Sequence, residues 1–222
     1  MTHTLTITAL SPITHDTWHL VCDRPAGFDF KAGQATHMAL DRDGWRDEDR
    51  PFTMTSQPED AAVEFVIKSY PDHDGVTEQI PDLKPGDAFI AEDPAGAITD
   101  HGPGVFLAAG AGVTPFIALL DKHAKEGVTG DHLLFANKTD RDIILKDKWD
   151  AMDGLRATYV ISDQPDTDHI KGQIDREMLQ DLLSDLDQTF YICGPGPFVD
   201  AMRDALTDLS VPKDKLVIEN GW

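Results

Sequence analysis

Cysteine is nearly missing from this 222-residue chain, which has only Cys22 and Cys193. Two thiols cannot hold a four-cysteine iron–sulfur cluster or a four-cysteine zinc site. They also make a disulfide-stapled secreted scaffold a poor reading. Long apolar runs are lacking too: no stretch approaches the roughly 20 residues that cross a bilayer. The first ten residues, MTHTLTITAL, have neither a basic flank nor an apolar core, so they do not read as a signal peptide. The expectation is a cytoplasmic protein. Bases are scarce as well, 19 against 40 acids, for a formal net charge of −21. A surface so negative repels nucleic acid and anionic membranes, and neither is expected as a partner. The acid excess is spread over both halves, which fits solubility or a saline setting, with docking to a basic partner as the alternative.

What remains is an ordinary globular composition, 41% hydrophobic with 17 Gly and 14 Pro, enough for one large or two small cores. The pattern changes midway. Residues 4–10, 17–21, 36–40, 51–56, 63–70 and 87–92 read as short strands broken by Pro-, Gly- and Asp-rich turns. That pattern predicts an antiparallel barrel or sandwich over residues 1–99, with one short helix near Thr77–Ile80. From residue 100 onward, apolar strands at 105–110, 132–137, 157–162, 189–194 and 215–220 alternate with helices. The helices are expected at 115–125, around 146–152, at 176–186 and at 197–209. This is the pattern of a parallel sheet covered on both faces, here over residues 100–222.

Four segments carry candidate chemistry. Gly110–Ala111–Gly112–Val113–Thr114–Pro115 follows a buried strand and opens a helix. Glycine lets backbone approach a phosphate, and free N–H groups at a helix start favour anions; the same spacing also serves as a plain strand–helix turn. Cys193–Gly194–Pro195–Gly196 ends another strand, and ligands of open α/β sheets bind at such ends. Cys193 alone reads equally as a small buried hydrophobe. In Arg50–Pro51–Phe52–Thr53, the arginine can pair with a diphosphate, the ring can stack on a flat ring system, and the hydroxyl can bond its edge. Asp74–Gly75–Val76–Thr77 can present N–H groups and a hydroxyl to phosphate, or simply cap a helix. The nine histidines are scattered. His15 and His19 lie too far apart on an extended chain to share a metal, and all nine read as surface residues.

In order, RPFT, GVT, KPGD with DPAG (93–96), GAGVTP, CGPGPF and a chain end at Glu219–Asn220–Gly221–Trp222 resemble the ferredoxin–NADP reductase superfamily along nearly the whole chain. The layout is most similar to short bacterial flavodoxin/ferredoxin reductases and flavin reductases. The resemblance implies an N-terminal FAD-binding Greek-key barrel and a C-terminal NAD(P)-binding parallel sheet. It implies that Arg50 holds the FAD diphosphate, with Pro51 beside it in the cofactor-binding set, that Phe52 stacks on the isoalloxazine where tyrosine is usual, and that Thr53 contacts flavin N5. Gly75, Val76 and Thr77 match the second diphosphate turn, with Lys68 in the strand leading to it. Gly110, Gly112, Thr114 and Pro115 would hold the nicotinamide dinucleotide. Cys193, Gly194 and Glu219 would stand beside nicotinamide and flavin, with Thr53, Cys193 and Glu219 as the catalytic set. Trp222 would cover the opposite flavin face. Ser162–Asp163 occupies the place where NADPH-dependent relatives often carry Ser–Arg, so NADH is preferred, unless Lys138, Arg141 and Lys171 offset the acid. Asp93 puts a charge where the pattern has none. The implied activity is hydride transfer from NADH or NADPH to FAD, then electron transfer to a flavodoxin, ferredoxin or other acceptor. A free flavin reductase or an electron-transfer subunit of a larger complex are the alternatives.

Overall fold

The computed structural model describes residues 1–71 and 75–219. Among these residues two six-stranded sheets follow one another along the chain. The first is antiparallel, built from β1 (Thr2–Pro12), β2 (Thr17–Asp23), β3 (Ala35–Leu40), β4 (Arg50–Thr53), β5 (Ala62–Lys68) and β6 (Ala88–Glu92). Its order is β4-β3-β6-β1-β2-β5, and a bridge between Met54 and Phe65 draws the two edge strands together into a nearly closed barrel. The period-two alternation of the sequence explains the closure. Leu5, Ile7, Leu20, Cys22, Val63, Phe65, Ile67 and Phe89 all point inward and are almost fully buried. A register shift between Ile7 and Ala9 marks a bulge in β1, which lets this long strand bend from β6 to β2.

The second sheet is parallel: β7 (Gly104–Ala109), β8 (Asp131–Asn137), β9 (Leu155–Ile161), β10 (Ile170–Lys171), β11 (Thr189–Cys193) and β12 (Leu216–Ile218), in the order β10-β9-β8-β7-β11-β12. Alternate residues of each strand face opposite helix layers. Phe106, Leu133, Phe135 and Tyr191 pack under α2 (Thr114–Glu126) and α3 (Lys146–Ala151). Val105, Leu107, Leu134, Phe190 and Ile192 pack under α4 (Arg176–Leu182) and α5 (Gly196–Asp208). Both faces being covered is why the strand sequences are apolar without a break. β8 and β11 lie on opposite sides of β7, so the strand order switches direction at β7. In open α/β sheets, ligands bind at that place.

The barrel and the sheet are welded together. Ala32, Val66 and Ile98 from the first half belong to the same buried cluster as Phe106, Phe116 and Trp149 of the second. The Gln57 Nε2 donates to the Ala118 carbonyl across the join, at 2.9 Å and buried. The connection between β6 and β7 is anchored as well. The Tyr191 hydroxyl accepts from the His101 amide at 2.8 Å and donates to the Gly102 carbonyl at 2.7 Å. Element boundaries depart from the sequence reading by a few residues. The short helix α1 is Val76–Gln79, α4 ends at Leu182 rather than 186, and the last strand is only Leu216–Ile218. The two-residue β10 was not expected at all, having too little sequence to show a period.

Candidate active site

One cleft of about 1580 Å³ opens where the barrel meets the C-terminal ends of the parallel strands. From the barrel it is lined by Arg50, Pro51, Phe52, Thr53, Lys68, Gly75 and Thr77. From the sheet it is lined by Gly110, Gly112, Thr114, Pro115, Ser162, Asp163, Cys193, Gly194 and Glu219. Segments more than a hundred residues apart in sequence thus share one space. Two expected site residues stand apart. Val76 is 0% exposed and packs in the barrel core, so only its backbone can serve the cleft. Trp222 lies outside the described residues, as do Asn220, Gly221 and Asp74.

The cleft floor is set by glycine. At Gly110, φ is +52° and nothing lies within 4 Å of where a Cβ would stand, leaving an open cradle before α2. A tight turn over Gly110–Val113 precedes the helix, which therefore begins at Thr114. Gly112 acts differently. A Cβ there would fall 2.3 Å from the Cys193 carbonyl oxygen, so the loops after β7 and β11 meet only because this residue has no side chain.

Phe52 is 9% exposed, packed into the barrel core while also lining the cleft. Arg50 is exposed; its guanidinium donates to the Asp49 carbonyl at 2.6 Å and lies 3.8 Å from Glu48. The Cys193 thiol is pushed up to about 12 by burial, reinforced by the nearby Glu219 carboxylate. It is therefore a neutral thiol near neutral pH, unsuited to nucleophilic work. The Glu219 Oε2 accepts from the Ala97 amide at 2.6 Å and from the Ile98 amide at 3.4 Å, tying the chain after β12 to the connection below the barrel.

Lys68 lines the cleft, but its ammonium is held by two carboxylates, Asp16 of the barrel at 2.7 Å and Asp142 of the α/β half at 3.7 Å. Burial works against Asp16, yet the Lys68 hydrogen bond and charge outweigh it and keep that carboxyl below its ordinary value. The His15 Nε2 lies 3.4 Å from Asp16 and 3.5 Å from Asp142. Three possible metal ligands therefore converge, with the Lys68 ammonium already beside both carboxylates. The other Asp142 oxygen accepts from the Thr139 amide and hydroxyl, so one carboxylate shapes its own turn and reaches the barrel.

Residues 106–204 match the family model described as the oxidoreductase NAD-binding domain. The ferredoxin reductase component of 3-ketosteroid-9-alpha-monooxygenase from Mycobacterium tuberculosis is 36% identical over 123 residues, 52% of this chain and 32% of that protein. The reductase component of propane 2-monooxygenase from Rhodococcus jostii is 29% identical over 230 residues, 95% of this chain and 61% of that protein. The chain thus spans about a third to three fifths of the length of these two relatives. Among solved structures, a ferredoxin NADP+ reductase from Neisseria gonorrhoeae with bound FAD and NADP superposes with a TM-score of 0.84 at 18% identity, covering 100% of this chain and 99% of that one. The second half of the chain thus matches an oxidoreductase NAD-binding domain, and the whole chain has the fold of that ferredoxin NADP+ reductase.

The loop that follows β9 is tied to the end of β8. The Ser162 amide donates to the Asn137 carbonyl at 3.1 Å and the Asp163 amide to the Lys138 carbonyl at 2.8 Å. Gln164 and Asp140 exchange two further bonds. Lys138 and Arg141 line the cleft beside Asp163. Asp93 lies away from it and takes a bond from His3 at 2.8 Å.

The reading of all nine histidines as surface residues fails for two of them. His123 is 2% exposed, with Nδ1 2.7 Å from Asp131 and Nε2 3.1 Å from Asp100. The Asp131 hydrogen bond raises it against burial, with Asp100 adding to the rise. His132 is 7% exposed, bonded to the Thr158 hydroxyl and lowered to about 4 by burial with help from Arg156. His123 has a partner on each ring nitrogen and His132 has one on Nε2, all inside the second domain, which no spacing rule reveals. Sequence reasoning also passed over Asp16, Gln57, Asn137 and Asp142. Only Asn137, the polar end of an apolar strand, carried a visible signal.

Proposed function

We propose that this chain is an FAD-dependent NAD(P)H oxidoreductase that passes electrons onward to an acceptor protein. The observation that carries this reading is the single cleft in which Arg50–Thr53 faces Gly110–Pro115 and Cys193. FAD, when bound, would supply the chemistry, taking one hydride (two electrons) from the nicotinamide and releasing those electrons singly. The chain's own residues bind, orient and exclude water. Phe52 offers a ring held rigid by the barrel core, suited to stacking on a flat heterocycle. Thr53 offers a hydroxyl beside it, and Arg50 a positive charge for a diphosphate. Gly75 and Thr77 offer backbone and hydroxyl on the same side. The open cradle at Gly110 leaves room for a second diphosphate before α2. Cys193 offers a neutral, compact wall at the join, and Glu219 keeps the connection beneath the barrel in place.

Asp163 sets nucleotide choice. Its carboxylate repels a 2′-phosphate and accepts from a free ribose hydroxyl, which favours NADH, with Lys138 and Arg141 on the same rim opposing it. With ferricyanide as acceptor, kcat/KM for NADH should exceed that for NADPH by about tenfold or more. A tenfold advantage for NADPH would end this assignment. The physiological acceptor is a flavodoxin, ferredoxin or similar one-electron carrier. The charge of −21 favours a carrier that offers a basic face.

A further inference from the structure

Asn137 closes β8, lines the cleft and is 7% exposed. Its amide nitrogen and oxygen are both shielded from solvent, and neither makes a hydrogen bond. Among the described residues these are the only buried side-chain polar atoms in that condition. A buried amide without partners is unfavourable, and a protein keeps one where a ligand or an ordered water completes it.

The surroundings narrow the choice. β8 lies between β7 and β9 in the sheet, and Asn137 stands in register with Ile161. Asn137 therefore sits between the Gly110–Thr114 turn that follows β7 and the Ser162–Asp163 pair that follows β9. A dinucleotide whose diphosphate rests on the first and whose ribose meets the second must pass over it. The chemistry of the amide narrows the choice again. It has a donor and an acceptor to satisfy, whereas diphosphate oxygens only accept. A ribose hydroxyl does both.

Resting on the nucleotide-binding reading above, we propose that Asn137 is a specificity-determining residue that hydrogen-bonds a ribose hydroxyl on the adenosine side of the nicotinamide dinucleotide. The partnerless amide is then a recognition group whose cost is carried by the free protein. The binding of ADP-ribose should depend on it, and that of nicotinamide mononucleotide should not.

The test uses the FAD-loaded full chain and its Asn137→Leu variant, which keeps the branching at Cγ, with Asn137→Ala as a second variant. Calorimetry would measure ADP-ribose and nicotinamide mononucleotide. ADP-ribose affinity should weaken by about tenfold in both variants. Nicotinamide mononucleotide affinity and FAD content should stay within about twofold. Removing the partnerless amide should also raise the Tm of nucleotide-free Asn137→Leu by about 2–4 °C. ADP-ribose affinity unchanged in both variants would overturn the proposal, and a fall in Tm alongside would assign the amide to a buried water. A wild-type chain that binds neither ADP-ribose nor NADH would overturn the nucleotide-binding reading, and this inference with it.

Discussion

His132 shows how a residue outside the cleft governs the conditions under which the cleft exists. Its folded-state value of about 4 lies below the ordinary 6.5, so the neutral ring is the form that the fold accepts. Its contribution to stability is complete above about pH 6.5 and is lost as pH falls toward 4. Between pH 7 and 5 that loss is about 2 kcal/mol. His123 runs the other way: its raised value means a contribution present below about pH 6.5 and lost as pH climbs through the folded value. A His132→Gln variant keeps an amide for Thr158 and leaves His123 untouched. Urea unfolding at pH 7 and pH 5 should then show a drop in stability about 2 kcal/mol smaller than in the wild type. An equal drop in the two proteins would mean that His132 is not the acid-sensitive group. Neither histidine was legible in sequence, because the partners Asp100, Asp131 and Thr158 meet them only through sheet and helix packing.

At the scale of elements, the sequence carried most of the pattern. Period-two runs in the first half and unbroken apolar runs in the second foretold which strands pair antiparallel and which lie parallel. The ends of elements were less legible. α4 stops at Leu182, and Val76 turns into the barrel core between two residues that line the cleft. Both outcomes depend on neighbours distant in sequence. The glycines of the first β–α turn look alike in sequence yet do separate work. Gly112→Ala would put a methyl 2.3 Å from the Cys193 carbonyl oxygen, so the turn must shift, at a cost of about 2 kcal/mol or more. Gly110→Ala meets no neighbour and bears only a positive-φ cost of about 1 kcal/mol, but its methyl enters the cradle. Thermal unfolding and NADH titration of both variants should separate the two roles. Gly112→Ala should lose stability and binding together, whereas Gly110→Ala should keep most of its stability and lose about tenfold in NADH affinity.

At the scale of the whole molecule, function depends on two halves held at a fixed spacing. Among the contacts that hold them are the shared apolar cluster around Val66 and Ile98, the Gln57–Ala118 bond, and the Lys68 ammonium between Asp16 and Asp142. Lys68→Met leaves the two carboxylates facing each other with the cation gone. The expected loss is about 2 kcal/mol in urea unfolding, with a lower kcat in the ferricyanide assay, and Lys68→Arg should recover most of both. Equal stability in the Met variant would remove the tie from the account. The overall order of motifs was readable from end to end. The tie was not, since Asp16 and Asp142 carry no pattern until folding brings the loop between β1 and β2 and a capped turn together.

The central claim is that one cleft stacks a reduced nicotinamide against a barrel-bound flavin. It is tested most directly by the visible absorbance of the purified chain during anaerobic titration with NADH. A chain that retains FAD through gel filtration and whose flavin bands bleach with about one equivalent of NADH is the predicted result. A chain that holds no flavin after loading with FAD, or whose flavin bands stay unchanged with NADH and NADPH alike, would contradict it.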